Sequence, residues 1–85
     1  MDTEHWKVLL TSIEKGSFCA AAETLDYSVS GVSRSVAALE DMVGFSLLYR
    51  SKQGVRPTPA CERLLPAVRE LLFAQKNLLT KVKYF

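Results

Sequence analysis

With 85 residues, 48% of them hydrophobic and 24% charged, the chain has room for one domain, near the lower end of what buries a useful core unaided. No apolar run approaches the roughly 20 residues that span a bilayer, and the opening MDTEHW is too acidic and polar for a signal peptide, so a cytoplasmic location is expected. The net charge of +2 is too small to imply a polyanionic partner by itself.

The first periodic segment is Trp6, Leu9, Leu10 and Ile13, spaced as one face of a helix. Thr3 is placed to cap it, and Lys15-Gly16 to end it with a cation and then a breaker. Ser17 can cap a second, short helix with Phe18, Ala21, Ala22 and Leu25 inside and Glu23 and Thr24 outside. Its three alanines, Ala20 to Ala22, allow close packing against a neighbour. Asp26-Tyr27 close it, and Ser28 begins a third helix.

That third helix has the clearest pattern. Val32, Val36, Leu39 and Val43 are spaced by four, three and four, and Met42 widens the stripe slightly. Ser30, Ser33, Arg34, Ala37 and Asp41 then fall on roughly the opposite side, so the outer face is thin and carries one long cation. Gly44 ends the helix as a left-handed residue would. Phe45, Leu47, Leu48 and Tyr49 suit a short strand, Lys52-Gln53-Gly54 a turn, and Val55-Arg56-Pro57 a returning edge strand.

Thr58-Pro59 is an N-cap followed by proline at the first helical position. The last helix is long: Leu65, Val68, Leu72, Gln75, Leu79 and Val82 step by three and four, with Leu64, Leu71 and Leu78 beside them. Pro66 is expected to kink it or to mark a tightened first turn. Leu64 and Leu65 are expected to dock on the chain's own domain. From Leu71 onward the stripe exceeds what three short helices cover, so a partner helix is expected, most simply from a second copy.

Charge is unevenly distributed. Five of the nine acidic residues lie before residue 27, whereas none occurs between Asp41 and Glu62, where Arg50, Lys52 and Arg56 fall. That imbalance suits a polyanion or an ordinary solvated loop. Cys19 and Cys61 are not spaced as metal ligands and read as reduced, mostly buried thiols. His5 has no Cys or His partner in view. No nucleophile–base set, phosphate-cradling loop or acidic metal cluster appears, so neither enzymatic activity nor a cofactor is expected.

Three helices followed by a hairpin is the winged helix-turn-helix order, in which the third helix enters a DNA major groove about 12 Å wide. A thin outer face suits that role, because small residues let the helix sit deep in the groove. Ser28, Ser30 and Ser33 can bond phosphates or base edges, and the helix N-terminus directs amides at phosphate. The competing reading is a helix packed closely against another protein helix.

The stretch GSFCAAAETLDYSVSGVSRSVAALEDMVGFSLLYRSKQGVRPTPACERLLP also resembles the N-terminal DNA-binding domain of LysR-type transcriptional regulators. Its matching features are a GSF-AAAE-L opening, S-x-S-x-VSR-x-x-x-x-LE, G-x-x-LL-x-R and T-x-A-x-E-x-LLP, over about residues 3–75. The resemblance implies a mainly α fold. A winged helix-turn-helix would occupy residues 1–58, with the helix-turn-helix at about 18–37 and the wing at about 46–57. A linker and dimerisation helix would occupy 59–85. It implies double-stranded DNA as partner and a homodimer. It also implies a C-terminal sensor domain in full-length proteins; that domain is absent here, so a small-molecule inducer is expected only where such a domain exists, and the chain is expected to be a fragment or a reduced family member.

By position, Ser28, Val29, Ser30, Gly31, Ser33 and Arg34 match the groove-facing start of the recognition helix. Arg50, Lys52, Gln53 and Arg56 match the wing, and Thr58 matches a phosphate-contacting hydroxyl. Leu71, Leu72, Gln75, Leu78, Leu79 and Val82 are the expected dimer contacts. Two departures bear on the target sequence. Val29 stands where the family often has glutamine, and it can only touch a thymine methyl. Gly31 stands for a usual alanine or proline, loosening the first helical turn by up to ~1 kcal/mol. Cys61 replaces a common glycine. The alternative function is a protein-interaction module using the long helix, with DNA binding lost.

Overall fold

The computed structural model describes residues 3–84; the first two residues of the expected DNA-binding domain and the last of the expected linker helix lie outside them. The elements run α1 (Thr3–Lys15), α2 (Phe18–Leu25), α3 (Val29–Val43), β1 (Leu48–Ser51), β2 (Gly54–Pro57) and α4 (Pro59–Val82). The order is the expected one.

Helix α1 is the hub, touched by α2, α3, α4 and β2. Its buried face is therefore broader than one stripe. Val8 and Leu9 are fully buried and Trp6 nearly so, while Leu10 and Ile13 pack only at the margin. Ser12 is buried as well, its hydroxyl donating to the Val8 carbonyl at 2.8 Å. This i−4 bond removes the cost of an unpaired buried hydroxyl. Thr3 is the first helical residue rather than the cap.

Each later helix starts on a hydroxyl. Ser17 accepts from the Ala20 amide, Ser28 from Gly31 and Thr58 from Cys61, at 3.0, 3.0 and 3.1 Å, satisfying amides that have no intrahelical partner. Asp26 closes α2 in the left-handed conformation at φ +59°, which a short polar side chain tolerates. Gly44 closes α3 at φ +85° and donates to the Glu40 carbonyl at 2.8 Å.

Helix α3 buries Val32, Val36 and Leu39 with Val43 at the edge, as its spacing predicts. Met42 does not join them; it is half exposed on the flank of the stripe. Cys19 corrects a second expectation. It is exposed, since it lies one helical step away from the Phe18–Ala22–Leu25 face, whereas Cys61 is fully buried. Burial, then the Glu62 and Glu40 charges, pushes the Cys61 thiol above its ordinary pKa. A disulfide-type thiol reagent should therefore label Cys19 in the native chain and Cys61 only after unfolding; equal labelling rates in native buffer would contradict this placement.

The hairpin is shorter than the sequence suggests. Leu47 is fully buried just before β1, Phe45 is exposed, and Gly54 belongs to β2, so Lys52-Gln53 alone form the turn. The strands pair antiparallel, Leu48 with Pro57, Tyr49 with Arg56, Arg50 with Val55 and Ser51 with Gly54. The hairpin is also tied to the body. The Val55 amide donates to the Gly16 carbonyl at 2.9 Å, and Gly54, at φ +121°, sits so close that a Cβ there would lie 2.0 Å from the same oxygen.

Helix α4 runs unbroken through Pro66 to Val82. Cys61, Leu65 and Val68 complete the core, with Leu64 and Leu72 packed against it. Beyond Leu72 every described residue is exposed.

Candidate nucleic-acid interface

The start of α3 projects at the molecular surface. Ser28, Val29, Ser30 and Arg34 are exposed, Gly31 and Ser33 half-buried, and Ala37 and Ala38 exposed behind them. Ser28 and Ser30 are engaged with each other at the surface. Their oxygens lie 3.3 Å apart and share a hydrogen bond while Ser28 also caps Gly31. Gly31 is fitted to this cap, since a Cβ there would stand 3.0 Å from Ser28 Oγ. Arg34 has no hydrogen-bond or ion-pair partner among the described residues, so its guanidinium can extend to an anion. Val29, 46% exposed, is the large apolar group of this first turn. The turn before it is braced by Tyr27, whose hydroxyl bonds the Glu4 carboxylate on α1.

The wing brings its cations beside α2 and α3 unequally. Lys52 is exposed on the turn. The Gln53 amide donates to Ser51 Oγ at 3.3 Å, and Ser51 donates back to Gln53 Oε1 at 3.1 Å, folding the side chain onto its own turn. Arg56 lies over the Tyr49 ring at 5.7 Å, its cross-strand neighbour. Arg50 is held from two sides, by Glu40 at 3.4 Å and by the Phe18 ring at 5.1 Å. Neither Glu40 nor Phe18 was marked by sequence reasoning as bearing on the wing.

Thr58 does not join this surface. It is 6% exposed, its hydroxyl donates to the Ser46 carbonyl at 2.9 Å, and its oxygen accepts from Cys61. A side chain engaged in both directions inside the core has no hydroxyl to offer a phosphate, so its role is structural. The expected dimer contacts lie away from α3. Leu78, Leu79 and Val82 are more than half exposed and Leu71 is 37% exposed, but Leu72 packs partly on the core. Phe73, 71% exposed, was not anticipated; it lies on the opposite flank of α4 from Leu78. Near Leu71 an apolar groove lined by Trp6, Leu64, Ala67 and Val68 continues the strip. Among the described residues no cluster of His, Cys, Asp and Glu suits a metal ion, and no helix is long and apolar enough to cross a membrane.

A capped second and third helix across a tight turn, with a clamped two-stranded wing beside them, define a winged helix-turn-helix domain. Residues 3–62 match the family model for the bacterial regulatory helix-turn-helix protein, lysR family. The chain belongs to that family. It is similar to a probable HTH-type transcriptional regulator, LrrA, of Synechococcus elongatus, with 40% identity over 82 residues, covering 96% of this chain and 28% of that protein. Its fold is similar to that in a crystal structure of the CbnR_DBD-DNA complex, with TM-score 0.89 and 28% identity over 99% of this chain and 97% of the other. It is similar too to an OxyR mutant of Corynebacterium glutamicum, with TM-score 0.93 and 33% identity over 96% of this chain and 26% of that one. The chain thus spans little more than a quarter of the length of such regulators.

Proposed function

We propose that this chain is the DNA-binding part of a LysR-type transcriptional regulator, that α3 enters the major groove of double-stranded DNA, and that α4 pairs two copies. The observation that carries the DNA reading is the exposed, small-residue start of α3 with Arg34 unpartnered upon it. A neighbour of the same fold over nearly its whole length is a DNA complex, which supports the same reading. Ser28, Val29, Ser30, Gly31, Ser33 and Arg34 would face the groove, with Lys52, Gln53 and Arg56 of the wing near the backbone. Leu71, Leu78, Leu79 and Val82 of α4, with Gln75 and the margin of Leu72, would meet the second copy. In a longer protein, a further domain would bind an inducer and bias the dimer.

Selecting bound sequences from a random DNA pool, followed by anisotropy titration over a salt series, tests this directly. A preferred site should emerge, and affinity should weaken steeply between low and moderate salt as phosphate-bound counterions are released. No detectable binding at low salt would shift the function to α4 as a protein-interaction helix. On the selected site, Arg34→Ala should cost about 1–3 kcal/mol and relax discrimination at one position if Arg34 reads a guanine. A loss equal across all sequences would assign it to phosphate. Unchanged binding would reject both roles.

A further inference from the structure

We infer that Glu40, Arg50 and Phe18 form a latch that sets the direction of the wing, so that Arg50 is a positioning residue rather than a phosphate contact. The inference rests on the DNA-binding reading of the domain for its consequence, but not for its geometry. One carboxylate, on the last turns of α3, meets the wing at three places. Glu40 Oε2 accepts the Leu47 amide at 2.7 Å and lies 3.4 Å from the Leu48 amide, while Oε1 lies 3.4 Å from Arg50 Nη2.

The Leu47 amide belongs to the bend between α3 and β1, and the Leu48 amide to the first residue of β1. A charged acceptor makes the shorter and stronger bond such a corner requires. Arg50 completes the arrangement from the other side. Its guanidinium reaches Glu40 through Nη2 and lies over the Phe18 ring of α2, with Cζ 5.1 Å from the ring centre, so an ion pair and a cation–π contact hold the same group. Arg50 also pairs in the hairpin with Val55, whose amide is fixed to Gly16.

The latch therefore ties both helices of the helix-turn-helix to β1, and the Gly16 bond ties β2 to the α1–α2 turn. Reaching outward to phosphate would cost Arg50 both contacts. Among the described residues Lys52 has no such contacts to lose, and it is the wing cation free to meet the backbone. The aim of Lys52 and Arg56 then depends on Glu40, an acid on a DNA-binding helix that would otherwise only repel the ligand.

The test compares Arg50→Gln, Glu40→Gln, their double variant and Lys52→Gln in this chain, with the pool-selected duplex as probe. Glu40→Gln retains an acceptor for Leu47, and circular dichroism confirms that each variant is folded. In free protein, Arg50→Gln and Glu40→Gln should shift the same amide resonances, those of Leu47, Leu48 and Val55. On DNA, Arg50→Gln should weaken binding by about two- to fivefold, the scale of one partly exposed ion pair, and do so at all salt concentrations alike. It should add little in the Glu40→Gln background, the signature of a shared interaction. Lys52→Gln should instead reduce the salt slope by about one. A full unit lost from the slope in Arg50→Gln, with the Leu47 and Leu48 resonances unmoved, would overturn the latch and make Arg50 a phosphate contact. Absence of wild-type DNA binding would sink the DNA-binding reading instead, while the resonance shifts would still decide the latch.

Discussion

Replacing Gly54 with alanine should destabilise the domain by about 2–4 kcal/mol, combining strain at an unfavourable backbone conformation with overpacking. The residue meets both conditions at once. Its φ is +121°, and a Cβ would stand 2.0 Å from the Gly16 carbonyl oxygen. The obstacle is backbone, so no side chain can swing aside to make room. That same oxygen accepts the Val55 amide at 2.9 Å. Any shift that relieves the clash therefore breaks the bond that ties β2 to the α1–α2 turn. At about 4–8 °C per kcal/mol for a domain of this size, calorimetry should show the melting temperature falling by about 8–32 °C. DNA affinity should fall further than global unfolding explains, because the wing leaves its place beside α3. Gly16→Ala provides the contrast: it has the same need for positive φ, at +77°, but nothing within 4 Å of its Cβ, so it should cost only the conformational part, about 1 kcal/mol. Equal losses for the two variants would show that the close approach of Gly54 is not what matters.

Features that depend on neighbours in the chain were legible before the structure. Ser17, Ser28 and Thr58 each precede a helix with a hydroxyl at the cap position, and Val32, Val36 and Leu39 are four and three residues apart, so caps and the buried face of α3 follow from local rules. Features that depend on distant parts of the chain were hidden. Val8 and Ser12 are buried because α1 is covered from several directions, and no single-stripe pattern contains that. Thr58 has a cap's sequence, but its burial depends on Ser46 lying across the hairpin. Arg50 reads as one more basic wing residue until Glu40 and Phe18 are seen beside it. Cys19 is different: its outward placement follows from helical angle, and the apolar letters around it misled.

The long helix carries the largest expected effect on DNA binding. Leu78→Glu with Leu79→Glu should convert the proposed dimer into a monomer and weaken binding to a two-half-site duplex by about 10²–10⁴-fold, the range of avidity that a second tethered module adds. These leucines are 62% and 56% exposed and lie beyond Leu72, the last residue of α4 packed on the core. Their replacement leaves the packed core untouched, and two buried carboxylates on each facing helix would repel across the pair. The core of α1, α2 and α3 should keep its cooperative melting, while the end of α4 should lose helicity, since a helix without packing is marginal in water. Leu72 is the wrong site for this experiment despite its place in the same stripe, because glutamate there would also disturb the core and blur the result. Sedimentation equilibrium gives the mass, and anisotropy on a single half-site separates avidity from damage to the reading head: half-site affinity should be nearly unchanged. A double variant that still sediments as a dimer would move the interface to the opposite flank of α4, where Phe73 stands 71% exposed, and Phe73→Glu would then be the substitution that separates the two copies.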